Sequence, residues 1–366
     1  MYKSELVEVL TKQAPLEGFD SNWDDIINEA RANKLLEYLA WLAKNKNTSM
    51  VPKQVFEHLN TVYLNSHLKN LLMKAELEAI LIVLARNNID CIILKGLPFA
   101  ERIYGALGTR SNGDIDLLVQ EKDLELAFRV LEDQGYKHCV ETTPQQIESF
   151  KFNQHLVFTK NHPSGIFVVE VHFMLTDHYG QYIITSDLWS RAIPVAIDNA
   201  VAYQLSPIDL LIQICLHSVE HGFDVLRSVL DVAKVIEVEG HLIDWDFFVD
   251  TAIKYRLKNR MYFSLLYAKL LFNSDIPDHV FSSLKPPQYL SRRFEDSLRT
   301  SNQTTALPML TWVLIRNENL QGFLQELYVG IFPPYEKLRI MYELDDPKVY
   351  HRYYLIYWWE TIRKFI

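Results

Sequence analysis

Apolar residues in the first part of the chain recur at intervals of three and four positions, which is the spacing of one face of a helix. The clearest run follows Pro52, a residue that suits a helix start. Its members are Val55, Leu59, Val62, Leu68, Leu71, Leu72, Ala75, Leu77, Ile80 and Leu84. The pattern predicts a long helix over residues 54–87 and a helical N-terminal region over residues 1–88.

The middle of the chain has a different pattern, in which short apolar runs alternate with amphipathic ones. The runs that predict strands are "CIILKG" (91–96), "DIDLLV" (114–119), "HLVFTK" (155–160) and "IFVVEVHFML" (166–175). Between them, "LPFAERIYGAL" and "EKDLELAFRVLEDQGY" have the spacing of helices. This alternation predicts a mixed α/β core over residues 89–200.

From Ser206 onward the pattern becomes helical again. In "SPIDLL", Ser206 is a suitable N-cap, Pro207 fits the first turn, and Asp209 places an acid at the third position. Helical spacing continues beyond it, interrupted by Gly240 and by several prolines. We therefore predict an α+β fold, in which a small mixed sheet with flanking helices lies between the N-terminal helical region and a C-terminal helical domain over residues 201–366.

Charge, cysteine content and the length of the apolar runs exclude several classes of protein. The chain has 366 residues, 37 basic and 46 acidic side chains, and a net charge of -9, which argues against broad nucleic-acid binding. Its three cysteines form no CxxC pair, so the expected location is a reducing cytoplasm. No apolar run reaches membrane-spanning length, so no membrane partner is expected.

Two acids one residue apart stand at the start of the predicted strand "DIDLLV". Side chains at alternate positions of a strand share a face, so Asp114 and Asp116 point the same way. Paired carboxylates of this kind are natural ligands for Mg²⁺ or Mn²⁺. A second such pair, Asp244 and Asp246 in "LIDWDFF", is interpreted as a helix start.

Further polar residues complete the chemistry that the acid pair suggests. "VVEVHF" adds a third acid, Glu170, with His172 on the same face of its strand. The strand-end glycine Gly96, preceded by Lys95, allows backbone N–H groups to approach an anion, and Arg110 adds positive charge. Metal-binding acids beside such a turn suit phosphoryl or nucleotidyl transfer.

The order of these segments also resembles a known family. "ILKGLPFAERIY", "TRSNGDIDLLV", "AFRVLEDQGY", "HLVF" and "VVEVHF" are similar to the minimal nucleotidyltransferase superfamily, which has a DNA polymerase beta-like fold, and to its uncharacterised bacterial branch. The resemblance covers roughly residues 75–235. It implies a three-acid metal site at Asp114, Asp116 and Glu170, with the triphosphate at Lys95 and Gly96. The wider superfamily has Gly-Ser at this turn and a shorter gap to the first acid.

The segment "HSVEHGFDVLRSVLDVA" permits two interpretations. "HSVEH" matches an inverted zincin pattern, with His217 and His221 one helical turn apart, and this predicts a zinc hydrolase with Glu220 as its base. The resembling branch instead has a histidine-bearing helix followed by an Asp. It implies that His217, His221, Arg227 and Asp231 line the nucleotide or acceptor pocket.

The leading hypothesis is therefore a Mg²⁺-dependent enzyme that transfers a nucleotidyl group from ATP or another nucleoside triphosphate to a hydroxyl of a small molecule or peptide. In it, Lys95, Gly96, Arg110 and His172 contact the nucleotide, and Asp114, Asp116 and Glu170 hold metal. A kinase that uses the same site on a peptide precursor of a natural product is the alternative, because some relatives in the branch accompany peptide natural-product pathways. A non-catalytic binding module is a further alternative.

Overall fold

A computed structural model describes residues 4–11, 22–46, 51–139, 155–175, 183–223, 225–300, 309–318, 320–333, 335–342 and 350–363. Residues 12–21 and 47–50 of the predicted N-terminal helical region lie outside the described residues. The N-terminal helices are α1 (Glu5–Thr11), α2 (Trp23–Ala32), α3 (Leu36–Lys46) and the 34-residue α4 (Lys53–Arg86).

The central region contains the strands, together with three short helices. The strands are β1 (Cys91–Ile93), β2 (Ile115–Val119), β3 (Lys137–His138), β4 (His155–His162), β5 (Gly165–His172), β6 (Ile193–Ile197) and β7 (Ala200–Gln204). The helices among them are α5 (Leu97–Tyr104), α6 (Leu124–Asp133) and α7 (Thr185–Arg191).

The remaining described elements are helical. They are α8 (Pro207–Glu220), α9 (Leu226–Glu239), α10 (Trp245–Lys254), α11 (Lys258–Phe272), α12 (Asp278–Leu284), α13 (Gln288–Thr300), α14 (Met309–Arg316), α15 (Leu320–Ile331), α16 (Tyr335–Tyr342) and α17 (Tyr350–Arg363). The predicted α+β class, a mixed sheet between helical regions, is confirmed. No helix among the described residues combines the length and apolarity needed to cross a bilayer.

The seven strands form one mixed sheet in the order β3-β4-β5-β2-β1-β7-β6. β2 runs parallel to β5, and β1 runs parallel to β7, whereas the other neighbours are antiparallel. β2 and β5 are neighbours near the middle of the sheet. All five residues of β2 are buried, whereas Glu170 and His172 of β5 are partly accessible.

Helices cover both faces of the sheet, and the alternation of the strands sorts their residues between two cores. Ile93, Leu117 and Val169 belong to the core that includes residues of α4 and α6. Ile92 and Leu118 belong to the core that includes residues of α8, α9 and α11. Asp116 alternates with Leu117, so its side chain points toward the side of α8 and α9.

Local capping follows the sequence signals. The side chain of Ser206 accepts a hydrogen bond from the Asp209 amide at the start of α8, at 3.3 Å. Asp244 accepts one from the Phe247 amide at the start of α10, at 3.0 Å. The second acid pair is therefore a helix start, as predicted.

The segment between α5 and β2 is fixed against the long helix α4. Gly108 lies so close to it that an added Cβ would stand 2.8 Å from the ring of Tyr63. The fully buried Asn70 of α4 donates from Nδ2 to the carbonyls of Leu107, at 2.6 Å, and Arg110, at 2.8 Å. These contacts position the chain that leads into Asp114.

Candidate active site

Three acids meet on one face of the sheet. The parallel register of β2 and β5 places Asp116 beside Glu170, and Asp114 immediately precedes β2. One carboxylate oxygen from each of the three lies within 4.8 Å of the others. Asp116 is fully buried, whereas Asp114 and Glu170 are partly accessible. Oxygen ligands at this separation can hold a divalent cation.

The surroundings of Asp116 test whether a cation fits. Its Oδ1 lies 3.2 Å from Nε2 of His172, and its Oδ2 lies 3.5 Å from Nζ of Lys95. Oδ2 is buried and has no hydrogen-bond partner among the described residues. A buried carboxylate oxygen without a partner costs about 1–3 kcal/mol, and a bound cation would remove that cost. The acids therefore fit a metal.

Two histidines flank Glu170. Its Oε2 lies 3.4 Å from Nε2 of His172 and 3.8 Å from Nε2 of His155, and the hydrogen bond from His172 lowers the pKa of Glu170 against the effect of burial. Burial opposes a charge on His172, but its bonds to Asp116 and Glu170 outweigh this and raise its pKa. The pKa of His155 is lowered by burial and by the charge of His172.

The turn after β1 lies beside the acids. Gly96 precedes α5 with φ 88° and ψ -127°, a conformation that favours glycine, and a Cβ built on it would stand 3.8 Å from the carbonyl oxygen of Asp114. The N–H groups of the first turn of a helix have no partners within the helix. The start of α5 therefore presents backbone donors close to the acids, with Lys95 on the same turn.

Behind the acids lies a buried ion pair. Arg110 and Asp231 are 6% and 1% exposed, and the guanidinium Nη2 lies 3.0 Å from Oδ2 of Asp231. Tyr104 donates its hydroxyl to Oδ1 of the same carboxylate at 2.6 Å. Burial opposes the charge on Arg110, but the charge of Asp231 outweighs it, so the pKa of Arg110 is raised. Asn112 accepts from Nη1 of Arg110 at 2.8 Å.

A second group of basic residues comes from α8 and α9. The pKa of His217 is well below its usual range because it is buried and because Lys95 and His221 add positive charge. The rings of His217 and His221 have centroids 4.5 Å apart. Burial and the charge of Arg110 lower the pKa of Arg227, whose Nη1 donates to the Ser111 carbonyl at 3.2 Å. Lys95 and Arg227 make this side of the site electropositive, whereas His217 is kept neutral.

The structure brings most of the predicted residues together but divides them into two groups. Asp114, Asp116, Glu170, His172, Lys95 and Gly96 form one contiguous cluster. Arg110 and Asp231 form a buried ion pair, with their charges paired to each other. Groups of His, Cys, Asp or Glu that could hold a metal were found among the described residues only at Asp114, Asp116 and Glu170, and at His155, Glu170 and His172. The "HSVEH" helix is in neither group.

The sequence prediction missed three residues of this region. His155 stands opposite His172 in the antiparallel register of β4 and β5, which no local pattern specifies. Tyr104 reaches Asp231 across 127 positions. For Asn70 a signal was available, because it occupies a core position of α4 between the buried residues Ser66 and Met73. A polar residue in a buried helical stripe indicates a specific hydrogen-bonding task.

Comparisons with known proteins identify the family of this chain. A family profile described as an uncharacterised nucleotidyltransferase matches residues 20–273, which is more than half of the chain. Among curated proteins, no sequence match was found. Two solved structures are similar at low identity. One is the antibiotic-resistance factor ANT(2'')-Ia, at 13% identity and TM-score 0.36, covering 54% of this chain and 96% of that one.

The second is an antigenic nucleotidyltransferase-like protein from Paracoccidioides brasiliensis, at 15% identity and TM-score 0.31. The match covers 45% of this chain and 75% of that one. Likenesses this distant support no conclusion about activity, so the assignment rests on the match to the family profile.

Proposed function

The chain belongs to the uncharacterised nucleotidyltransferase family, and from that premise we propose that it transfers a nucleotidyl group from a nucleoside triphosphate, ATP first among them, to a hydroxyl of a small molecule or peptide. The observation that supports this most directly is the cluster of Asp114, Asp116 and Glu170, with its oxygens within 4.8 Å. Nucleotidyl transfer requires charge neutralisation and positioning more than covalent chemistry by the protein.

The three acids would hold Mg²⁺ or Mn²⁺. The bound metal would neutralise the phosphate oxygens on which negative charge develops. The buried Oδ2 of Asp116 has no hydrogen-bond partner among the described residues, and a bound cation would give it a direct contact in addition to the Lys95 ammonium group, which lies 3.5 Å away. Glu170 is the more accessible acid, and its lowered pKa keeps it a carboxylate at neutral pH, the form that accepts a proton from an acceptor hydroxyl.

The triphosphate would lie against the start of α5. The ammonium group of Lys95 lies 3.5 Å from Asp116, and α5 begins directly after Gly96, where a helix N-terminus favours an anion. His172, which contacts both Asp116 and Glu170, would orient these carboxylates and offer its ring to the nucleotide.

The basic residues of α8 and α9 and the buried pair of Arg110 and Asp231 have different proposed roles. Arg227 and Lys95 supply positive charge on this side, and His217 and His221 add imidazole groups that can donate or accept hydrogen bonds, which suits the phosphates or an acceptor carrying negative charge. The charges of Asp231 and Arg110 are already paired with each other, so we assign this pair to holding the segment that leads to Asp114. We therefore propose a positioning role for this pair instead of the nucleotide and pocket contacts expected from the sequence.

The first test measures nucleotide binding. In Mg²⁺ or Mn²⁺, ATP should raise the melting temperature of the wild-type protein and of Asp246→Asn, whose side chain is 90% exposed at the start of α10. The same nucleotide should give little shift for Asp116→Asn, which removes a buried metal ligand. If no nucleoside triphosphate shifts the wild-type protein with either metal, the proposal is wrong and a non-catalytic binding module becomes the better description.

The second test follows the label. With α-labelled ATP and a panel of hydroxylated small molecules and peptides, nucleotidyl transfer leaves label on the acceptor, whereas γ-labelled ATP leaves none. Asp116→Asn should lower the rate by about two orders of magnitude or more, since it removes preorganised charge at the reacting centre. Transfer of the γ-label instead would identify the kinase that acts on a peptide precursor and would refute nucleotidyl transfer.

A further inference from the structure

A second set of possible metal ligands adjoins the three acids. His155 lies at the start of β4, and Glu170 and His172 lie at the end of β5, all on one face of the sheet. We propose that His155, Glu170 and His172 bind a divalent transition metal, Zn²⁺ or Mn²⁺, at a site that shares Glu170 with the three-acid site.

The separation of the donor atoms suits such an ion. Ligands about 2.0–2.2 Å from a tetrahedral metal are about 3.3–3.6 Å apart. Here Oε2 of Glu170 lies 3.4 Å from Nε2 of His172 and 3.8 Å from Nε2 of His155, and the three donors lie within 4.8 Å of one another. Small rotations of the side chains would bring all three to one centre, and Nε2 of His172 would then exchange its hydrogen bonds to Asp116 and Glu170 for the ion.

The sheet itself holds the ligands in this arrangement. His155 and His172 are direct partners in the antiparallel register of β4 and β5, and their ring centroids are 4.7 Å apart. Directly opposed residues in an antiparallel pair hold their Cβ atoms about 4.5–5.5 Å apart. Glu170 shares the face of His172 because the two are alternate residues of β5. The backbone pairing therefore preorganises the site before any ion arrives.

The chemistry of the donors separates this site from its neighbour. Two imidazoles and one carboxylate are ligands that Zn²⁺ and Mn²⁺ accept, whereas an all-oxygen set suits Mg²⁺. Three protein ligands also leave a coordination position for water or a substrate oxygen. Glu170 has two oxygens and belongs to both sets, so it can bridge two ions of different kinds.

An ion can also reach these side chains. The side chains of His155, Glu170 and His172 are 33%, 22% and 13% exposed, in contrast to the fully buried Asp116. The proposal concerns metal binding alone, so it holds or fails independently of nucleotidyl transfer.

The test measures Zn²⁺ and Mn²⁺ binding to the untagged full-length protein by equilibrium dialysis with elemental analysis and by calorimetry. Changing a residue that only supports a metal ligand costs about 10–100-fold in affinity, so loss of a ligand itself in His155→Gln should weaken Zn²⁺ binding by about 100-fold or more. Asp114→Asn, which changes only the oxygen site, should keep most of the Zn²⁺ affinity. His58→Gln, an exposed histidine on α4, is the matched control and should bind as the wild type does.

Two results would overturn the proposal. One is unchanged Zn²⁺ and Mn²⁺ affinity in His155→Gln. The other is loss of affinity in His221→Gln with none in His155→Gln, which would place the ion at the "HSVEH" helix. If His155→Gln does not fold, chemical modification of histidines in the wild-type protein, mapped by mass spectrometry, decides the question: Zn²⁺ should protect His155, and equal modification with and without Zn²⁺ refutes the site.

The outcomes separate this proposal from the proposed function. Nucleotide binding and α-label transfer without Zn²⁺ or Mn²⁺ at His155 would leave nucleotidyl transfer intact and remove the second site. Zn²⁺ bound at His155 in a protein that binds no nucleotide would support the second site and refute nucleotidyl transfer.

Discussion

Replacing Asp231 with Asn should destabilise the fold far more than an acid-to-amide change on the surface. The carboxylate accepts three hydrogen bonds: from Nε of Arg110 at 3.3 Å, from Nη2 of Arg110 at 3.0 Å, and from the Tyr104 hydroxyl at 2.6 Å. An amide can accept through one oxygen only, and its NH₂ group would face donors. The guanidinium of Arg110 would then stay buried without a counter-charge.

The expected magnitude follows from that burial. Removing one partner of a buried pair costs about 3–5 kcal/mol, because an uncompensated charge remains in a poorly solvated place. Asp246→Asn changes the same functional group where the side chain is 90% exposed, and should cost less than about 0.5 kcal/mol. The two variants differ in burial and not in chemistry, so their difference isolates the buried pair.

Urea denaturation followed by tryptophan fluorescence and circular dichroism measures the free energy of unfolding for both variants. Arg110→Met combined with Asp231→Leu supplies the complementary test, because removing both charges together should recover part of the loss. If the free energy of unfolding of Asp231→Asn lies within about 1 kcal/mol of the wild-type value, the buried ion pair does not stabilise the fold as argued, and the positioning role of Arg110 is wrong.

Three further predictions concern other buried groups. Asn70→Ala should lower the free energy of unfolding by about 1–3 kcal/mol, measured in urea, because it leaves the buried Leu107 carbonyl without its side-chain donor and removes one of the two donors to the Arg110 carbonyl. The pKa of His217 is lowered by burial, so as the pH falls the unfolded chain takes up a proton there before the folded protein does. The contribution of His217 to the free energy of unfolding should therefore be fully present above about pH 6.5 and fall below it, by at most about 1.4 kcal/mol per pH unit. His217→Gln should lack this pH dependence. In a thiol assay the exposed Cys139 should react with the native protein, and Cys91 and Cys215 only after denaturation.

Each of these has its own control. Asn65→Ala changes an exposed asparagine of the same helix and should leave unfolding nearly unaltered; an equal effect from Asn65 and Asn70 would contradict the assignment. A parallel pH dependence in wild type and His217→Gln would show that other groups govern acid sensitivity. Three rapidly reacting thiols in the native protein would contradict the burial of Cys91 and Cys215.

The sequence was informative where the signal is local. Alternation within "DIDLLV" placed Asp114 and Asp116 on one face of the strand. The local sequence pattern also predicted the strand-to-helix turn at Lys95 and Gly96. These features depend on neighbouring residues, whose relation is fixed by backbone periodicity. The α+β class followed from the same periodicities and was confirmed.

Contacts between residues that are distant in the chain could not be predicted from one sequence. Arg110 was expected to face phosphates because it precedes the acids, yet its charge is paired with Asp231, 121 positions away. His155 was missed because strand register is set by tertiary packing and not by local pattern. A basic residue beside a candidate site is equally consistent with binding a ligand and with holding a loop, and only the location of its counter-charge distinguishes the two.

The parallel pairing of β2 with β5 makes assembly of the metal site depend on contacts between residues far apart in the chain. His172 and Asp116 are 56 positions apart, so their strands pair only after a long loop has closed. A slip of one residue would put Val169 or Val171 beside Asp116 and turn Glu170 into the apolar core. Metal affinity should therefore emerge in refolding only with the correct register, which makes a bound ion a reporter of native strand pairing and not of compactness alone.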